Sequence, residues 1–321
     1  PRERGASQNT IASYAHCYRL LLVFAAERRK TRPSQIQIED LDAALICAFL
    51  DHLEEARSNT ARSRNARLAA IHSLFRYIEY RVPACLDQAR RIHAIPMKRS
   101  AQPLVGYLTR AEMQALLAAP DPRTVAGLRD QAMLHLAFAA GLRVSELTGL
   151  GLKQFDDAAM PSLHVIGKGR RERILPLWQE TARTLRRWIA VRPVQGDPQL
   201  FLNAAGRTMT RSGFEYILRK HATAAAKVEP SIAGKRVTPH VLRHSCAMHT
   251  LQATGDVRKV SLWLGHASVQ TTEMYLRADP TEKLEALTAM GPPTLKRGRF
   301  TVPDKLMAML TETSNGRNYA E

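Results

Sequence analysis

Five short stretches between residues 141 and 275 carry the side chains best suited to chemistry. Gly141-Leu-Arg143-Val-Ser-Glu146-Leu147 sets an arginine just past a helix-breaking glycine, with a carboxylate three residues on. Lys168 stands between Gly167 and Gly169, at the tip of a tight turn. His240-Val-Leu-Arg243-His244 opens a helix behind Thr238-Pro239, Leu264-Gly-His266 closes one, and Tyr275 follows in Thr271-Thr-Glu-Met-Tyr275. Together these are cations, imidazoles and one phenol, groups that hold an anion and move a proton. Each also has an ordinary reading. An Arg–Glu pair at i, i+3 is commonly a surface ion pair, a hairpin lysine is commonly solvated, and a lone tyrosine near a helix end is commonly packing. His240 and His244 at i, i+4 are spaced to share a metal, but no third ligand lies at a familiar spacing and no H-E-x-x-H occurs.

The elements that must position these groups read as mostly helical. In the first hundred residues, Thr10 is a candidate cap for a helix with Ile11, Tyr14, Tyr18, Leu21 and Leu22 at helical spacing. A second run, Leu41–Leu50, follows Asp40 as its candidate cap. A third helix begins near Ser58–Thr60 and places Leu68, Ile71, Leu74, Phe75 and Ile78 on one side. Arg57, Arg62, Arg64 and Arg67 lie in its first turns without acidic partners at i+4, which favours phosphate contact over a merely solvated face. Residues 92–106, with two prolines and no helical period, mark the domain boundary. Beyond it Thr109-Arg-Ala-Glu112 is a capping box, and Asp130–Ala140 is a helix ended by Gly141. Two short strands, Leu163–Ile166 and Arg173–Leu177, flank the turn at Gly167–Gly169. Helices return near Gln179–Arg192, Thr210–Ala226, His240–Thr254 and Asp256–Leu264. The second domain is thus helical with a small sheet.

The 321 residues carry 47 Lys and Arg against 29 Asp and Glu, a formal net charge of +18. Residues 1–103 hold 17 basic against 10 acidic residues, 104–275 hold 23 against 13, and 276–321 hold 7 against 6. Both large segments are therefore basic, which points to a polyanionic partner gripped by two domains rather than by one tail. An arginine-rich composition is also produced by a GC-rich genome. The length suits about two domains of ordinary size. The longest apolar stretches, such as Leu20–Ala26 and Leu41–Leu50, are too short or too broken by charge to span a bilayer, and no signal-like leader opens the sequence at Pro1. Four scattered cysteines, with no C-x-x-C, suggest neither a disulfide framework nor a cysteine zinc site, so a reducing cytoplasmic setting is expected. No G-x-x-x-x-G-K-[ST] occurs and ATP is not implied.

Taken in order, the five stretches resemble the signature of the tyrosine recombinases, the phage-integrase family. That signature runs arginine in G-L-R-x-x-E-L, a hairpin lysine, H-x-L-R, L-G-H and a tyrosine about nine residues later, and Arg143, Lys168, His240, Arg243, His266 and Tyr275 occupy its six positions. The resemblance covers about residues 5–290. It implies cleavage of one DNA strand by a tyrosine oxygen, leaving a 3′-phosphotyrosine and a free 5′-hydroxyl. In that chemistry Tyr275 is the nucleophile, and Arg143 and Arg243 stabilise the charge of the five-coordinate transition state with bidentate guanidinium forks. His266 adds a hydrogen bond to the same phosphate, His240 is the base near Tyr275, and Lys168 is the acid for the leaving 5′-oxygen. Glu146 orients or buttresses the arginine region. No cofactor and no metal are expected, since two-metal nucleases need several acidic ligands.

The implied architecture is α+β, mainly α with a small β-sheet in the catalytic domain, arranged as a two-domain C-shaped clamp on DNA. A helical, SAM-like core-binding domain spans 1–98, a linker 99–106 and the catalytic domain 107–280. The tail 281–321 holds Thr281–Ala289, a candidate helix for docking on a neighbouring protomer, then Gly291-Pro-Pro, Lys296-Arg-Gly-Arg299 and the amphipathic Val302–Leu310. The resemblance implies a homo-tetramer on two double-stranded DNA sites with inverted-repeat cores, in the bacterial cytoplasm on the nucleoid, with room for a partner recombinase. Integration or transposition of a mobile element is the first expectation. Chromosome or plasmid resolution, type IB topoisomerase-like relaxation and non-catalytic DNA-binding regulation are the alternatives.

Overall fold

The computed structural model describes residues 6–100, 104–193, 197–266 and 268–279, with Lys168 described at its backbone only. The proposed docking segment Thr281–Ala289 and the rest of the tail 281–321 lie outside the described residues. The chain divides into two compact units, with the division between Pro103 and Leu104.

The first unit is built from α1 (Gln8–Arg29), α2 (Ala43–Glu55), α3 (Ala61–Arg81) and α4 (Leu86–His93). Each of the first three begins at a side chain that satisfies an orphan backbone amide, but not always the expected one. For α1 it is Ser7, whose hydroxyl accepts from the Thr10 amide, so the helix starts one turn before Thr10. For α2 it is Asp42, which accepts from Leu45; Asp40 instead accepts from the Gln37 amide and pairs with Arg29. Thr60 caps α3, within the Ser58–Thr60 stretch where its start was expected. The core gathers Leu21, Phe49, Leu53, Leu68, Ile71 and Phe75, and α4, which the apolar spacing did not reveal, adds Ile92. The Tyr18 hydroxyl donates to the Ala70 carbonyl at 2.9 Å, pinning α1 to α3.

The second unit runs α5 (Arg110–Ala118), α6 (Val125–Ala139), α7 (Val144–Gly149), β1 (Phe155–Asp156), β2 (Ser162–Ile166), β3 (Glu172–Pro176), α8 (Gln179–Val191), α9 (Arg211–Ala225), α10 (Pro239–Thr254), α11 (Val257–Leu264) and α12 (Glu273–Ala278). The Thr109–Glu112 capping box opens α5. α6 starts at Val125 behind Thr124, five residues before the expected Asp130, which is instead buried inside the helix. The sheet is antiparallel in the order β1-β2-β3, and Val165 pairs with Arg173. The two-residue β1 was too short to show in the sequence pattern. α10 packs on α6 and α11, and its Leu242, Ala247, Met248 and Leu251 are buried in the core. Among the described residues no helix is long and apolar enough to cross a membrane.

Gly141 is the point at which this core meets the chemistry. Its φ of 54° is left-handed, and a Cβ there would lie 2.5 Å from Leu264 Cδ2 and 3.1 Å from Cys246 Sγ. Gly255, at φ 61°, has nothing within 4 Å of its would-be Cβ. Gly255→Ala should therefore cost about 1 kcal/mol for backbone strain alone, whereas Gly141→Ala adds overpacking for a total of about 2–4 kcal/mol. Urea unfolding of the two variants checks this, and equal losses would reject it.

Candidate active site

Two arginines are fixed by quite different means. Arg143 is the N-cap residue of α7; its backbone amide donates to Glu146 Oε2 at 3.0 Å and its Nη1 to Oε1 at 2.8 Å, so the carboxylate three residues on holds both ends of it. Arg243, buried on the first turns of α10, donates through Nη1 to the Gly141 carbonyl and through Nη2 to the Leu264 carbonyl at 2.8 Å. These acceptors follow α6 and end α11, so one guanidinium ties together the stretches that carry Arg143 and His266. Burial and then the neighbouring Arg143 bring the Arg243 pKa down to about 10, which leaves it a cation at neutral pH.

His266 follows Gly265, whose φ of 62° ends α11 in a left-handed turn. Its Nδ1 lies 2.8 Å from Thr272 Oγ1. Burial first, and then Arg243, Arg143 and Arg173, push its pKa down to about 4, so the ring is neutral at pH 7.

Tyr275, on α12, is 1% exposed and packed in the core of the second unit. Its hydroxyl lies 2.9 Å from His244 Nδ1. Burial raises the phenol to about 12 against the lowering pull of Arg243, while burial, His240 and Arg243 lower His244 to about 4. Both shifts oppose moving the proton from the phenol to His244. In this conformation the hydroxyl is neither reachable by a duplex nor ionisable near neutral pH.

Arg143, Arg243, His266 and Tyr275 are thus brought together, each acting electrostatically on others of the set. His240, expected beside the tyrosine, is exposed one helical turn before His244, with ring centroids 6.4 Å apart, and the contact with Tyr275 belongs to His244. At i, i+4 on α10 the two imidazoles share a face, and α12 meets the turn that carries the second. Lys168 occupies the expected turn between β2 and β3, where Gly169 takes φ 76°; its side chain lies outside the described residues.

Two participants did not emerge from the motif. His244 is the last residue of His240-Val-Leu-Arg243-His244, and that spacing was its one signal. Arg173 sits on β3 with its Nη2 2.9 Å from Glu146 Oε2; the sequence marked it only as the start of a strand. Burial raises the Glu146 carboxyl, but the hydrogen bonds and charges of Arg173 and Arg143 outweigh it and hold the group below the usual carboxylate range.

In the first unit one of the four proposed phosphate contacts is corrected. Arg64 is 6% exposed, with Nη1 on the Pro96 carbonyl at 3.2 Å and Nε 3.7 Å from Glu54, so it braces α3 internally and has no face to offer DNA. Helical spacing turned it inward while Arg57 and Arg62 remain exposed. Arg67 is half-buried and donates to the Ser13 carbonyl at 3.4 Å. Partial desolvation and the charges of Arg67, Arg19 and Arg57 all hold His16 below its ordinary pKa, which marks a locally cationic surface across α1 and α3.

The buried imidazoles predict a pH effect on stability. His244 and His266 stay neutral in the fold down to about pH 4, whereas an unfolded histidine takes its proton near 6.5. Their contribution is complete above pH 6.5 and is lost as pH falls toward 4, on the order of 2–3 kcal/mol for each. Urea unfolding between pH 7 and pH 4.5 should show a smaller fall for His266→Gln than for the wild type; identical falls would contradict this.

Comparison with known proteins adds an independent line. A family model described as Phage integrase family matches residues 106–282, and one described as Phage integrase, N-terminal SAM-like domain matches residues 1–81. A Sinorhizobium fredii protein named only as an integrase/recombinase, y4rC, is 46% identical over 310 residues, covering 96% of this chain and 93% of its own. The tyrosine recombinase XerC of Herpetosiphon aurantiacus is 35% identical, covering 85% and 86%. Among solved structures, XerH bound to a palindromic difH substrate superposes with a TM-score of 0.65 at 21% identity, covering 84% of this chain and 78% of that one. The Tn1549 transposon integrase in complex with transposon right-end DNA gives 0.66 at 19% identity, covering 89% and 96%. At such identities the superpositions speak for the fold.

Proposed function

Because the chain belongs to the phage integrase family, the tyrosine recombinases, whose members are DNA strand-transferring enzymes, we propose that it is a site-specific recombinase for a mobile element working through a 3′-phosphotyrosyl intermediate. The observation that carries this reading is the convergence of Arg143, Arg243 and His266 around the stretch that ends in Tyr275. A phosphodiester held by the two guanidiniums and the imidazole gains charge as its phosphorus becomes five-coordinate, and fixed cations favour that state over the ground state. The Tyr275 oxygen forms the bond to phosphorus, the bond to the 5′-oxygen breaks, and Lys168 protonates that oxygen as it leaves. The phenol's own proton goes to His240, the solvent-facing imidazole of the pair, once α12 has turned out of the core; His244 holds the hydroxyl until then. Attack by a second 5′-hydroxyl reverses these steps and rejoins the strand without ATP.

The strong likeness to y4rC, named an integrase/recombinase, supports the mobile-element role, while the likeness to XerC keeps chromosome or plasmid resolution as the second reading. In either role the proposed assembly is a cytoplasmic homo-tetramer on two inverted-repeat sites, with the tail 281–321 docking on a neighbouring protomer. Arg57, Arg62 and Arg67, with His16 and Arg19, are the proposed phosphate-contacting face of the first unit.

The test mixes the protein with fragmented DNA from the source cell, captures protein-linked fragments that survive SDS and sequences their ends. Capture at one or a few inverted-repeat sites is expected. Capture spread over the genome would point to topoisomerase-like relaxation, and no capture, with source-cell extract added to supply a partner recombinase, would overturn the catalytic reading in favour of DNA binding alone.

A further inference from the structure

Glu146 is the one carboxylate hydrogen-bonded to the site arginines among the described residues, and two guanidiniums share it. Its Oε1 takes Arg143 Nη1 at 2.8 Å, and its Oε2 takes both the Arg143 amide at 3.0 Å and Arg173 Nη2 at 2.9 Å. A carboxylate this close to Arg143 orients it, but its negative charge also subtracts from the field that Arg143 presents to a phosphate on its other side.

Arg173 approaches the same carboxylate from the hairpin. Its side chain is 11% exposed and its Nη2 is taken up by Glu146. It is seated by shape as much as by bonding. A Cβ on Gly265 would lie 3.0 Å from its Nη1 and 3.1 Å from its Cδ, and one on Gly167 would lie 3.2 Å from Nη1. Its Nε is buried with no acceptor among the described residues. Both glycines leave room for this guanidinium, and they are the residues immediately before Lys168 and His266. A single side chain therefore joins Glu146 to the turn of the hairpin lysine and to the turn of the site histidine.

We propose that Arg173 is a positioning residue for strand cleavage: it cancels the charge of Glu146 from the side away from the phosphate, so that Glu146 orients Arg143 without neutralising it. With Arg143, Arg173 and Arg243 against one carboxylate, the cluster carries a net +2, matched to a phosphodiester whose charge grows toward −2 in the transition state. Without Arg173 the excess falls to +1. DNA affinity, set by many phosphate contacts elsewhere, is left nearly unchanged while the cleavage step slows. The inference rests on the recombinase reading above.

The experiment measures single-turnover cleavage at saturating protein, on a duplex recovered by the SDS capture, for the full-length wild type, Arg173→Met, Arg173→Lys, Glu146→Gln and the double variant Glu146→Gln/Arg173→Met. Arg173→Met should cleave at least tenfold more slowly than wild type with its DNA Kd within about threefold, and Arg173→Lys should recover most of the rate. The double variant restores the net +2 of the wild type, so it should cleave at least about threefold faster than Arg173→Met, which is left at +1. A double variant no faster than Arg173→Met would show that Arg173 does not act through the charge of Glu146 and overturn the proposal; if Arg173→Met alone fails to fold, a double variant tenfold or more below the wild type would overturn it. Wild-type cleavage by Arg173→Met would overturn it equally. Failure of the wild type to cleave any duplex would instead remove the recombinase reading itself, and the proposal with it.

Discussion

Tyr275→Phe should bind DNA as the wild type does and form no covalent adduct. The substitution removes one oxygen from a ring that is 1% exposed, so packing is retained. The lost hydroxyl partners His244 Nδ1 at 2.9 Å, and leaving that nitrogen without its partner should cost about 1 kcal/mol, small enough for the fold to survive. Catalysis has no such reserve, because no other side chain replaces the phenol oxygen as nucleophile. SDS-resistant adducts, measured beside a gel-shift titration and a thermal melt, check both halves. Any adduct formed by the Phe variant would remove Tyr275 from the proposed role.

Arg243→Ala should slow cleavage by at least about 10²-fold, the usual effect of removing one fixed donor from a developing oxyanion. It should also destabilise the protein, because the Gly141 and Leu264 carbonyls lose their common donor inside the core; two unsatisfied carbonyls cost about 2–4 kcal/mol. Arg143→Ala should match the loss of rate with a smaller loss of stability. Arg143 is less buried, and Glu146 keeps Arg173 as its partner. Pairing single-turnover rates with urea unfolding separates these effects. Wild-type rates in either variant would reject the role of that arginine.

How far the fold was legible follows from what sequence signals encode. The starts of α3, expected near Ser58–Thr60, and of α9, expected near Thr210, fall where the sequence placed them. Where two capping residues stood close together, as Ser7 with Thr10 and Asp40 with Asp42, spacing alone chose the wrong one, because both types satisfy an orphan amide and only the fold decides which is free to do so. The site was legible as a set of motifs, but not as contacts. Motif order identified Arg143, Arg243, His266 and Tyr275 but not that His244, rather than His240, meets the buried hydroxyl, since α12 arrives from 31 residues downstream. Arg64 and Arg173 show the same limit from opposite sides. A basic residue in a basic stretch was turned inward by helical phase, and one in an ordinary strand was carried by the hairpin to Glu146, 27 residues upstream.

The most direct measurement of the central claim is the chemical identity of the protein–DNA bond. Trypsin cleavage after Lys259 and Arg277 releases residues 260–277, a peptide with Tyr275 as its one tyrosine. Mass spectrometry of nuclease-trimmed adducts should find this peptide joined through Tyr275 to the 3′-phosphate of the cleaved strand, with a free 5′-hydroxyl on the other side. Attachment through another residue, or through a 5′-phosphate, would contradict the account.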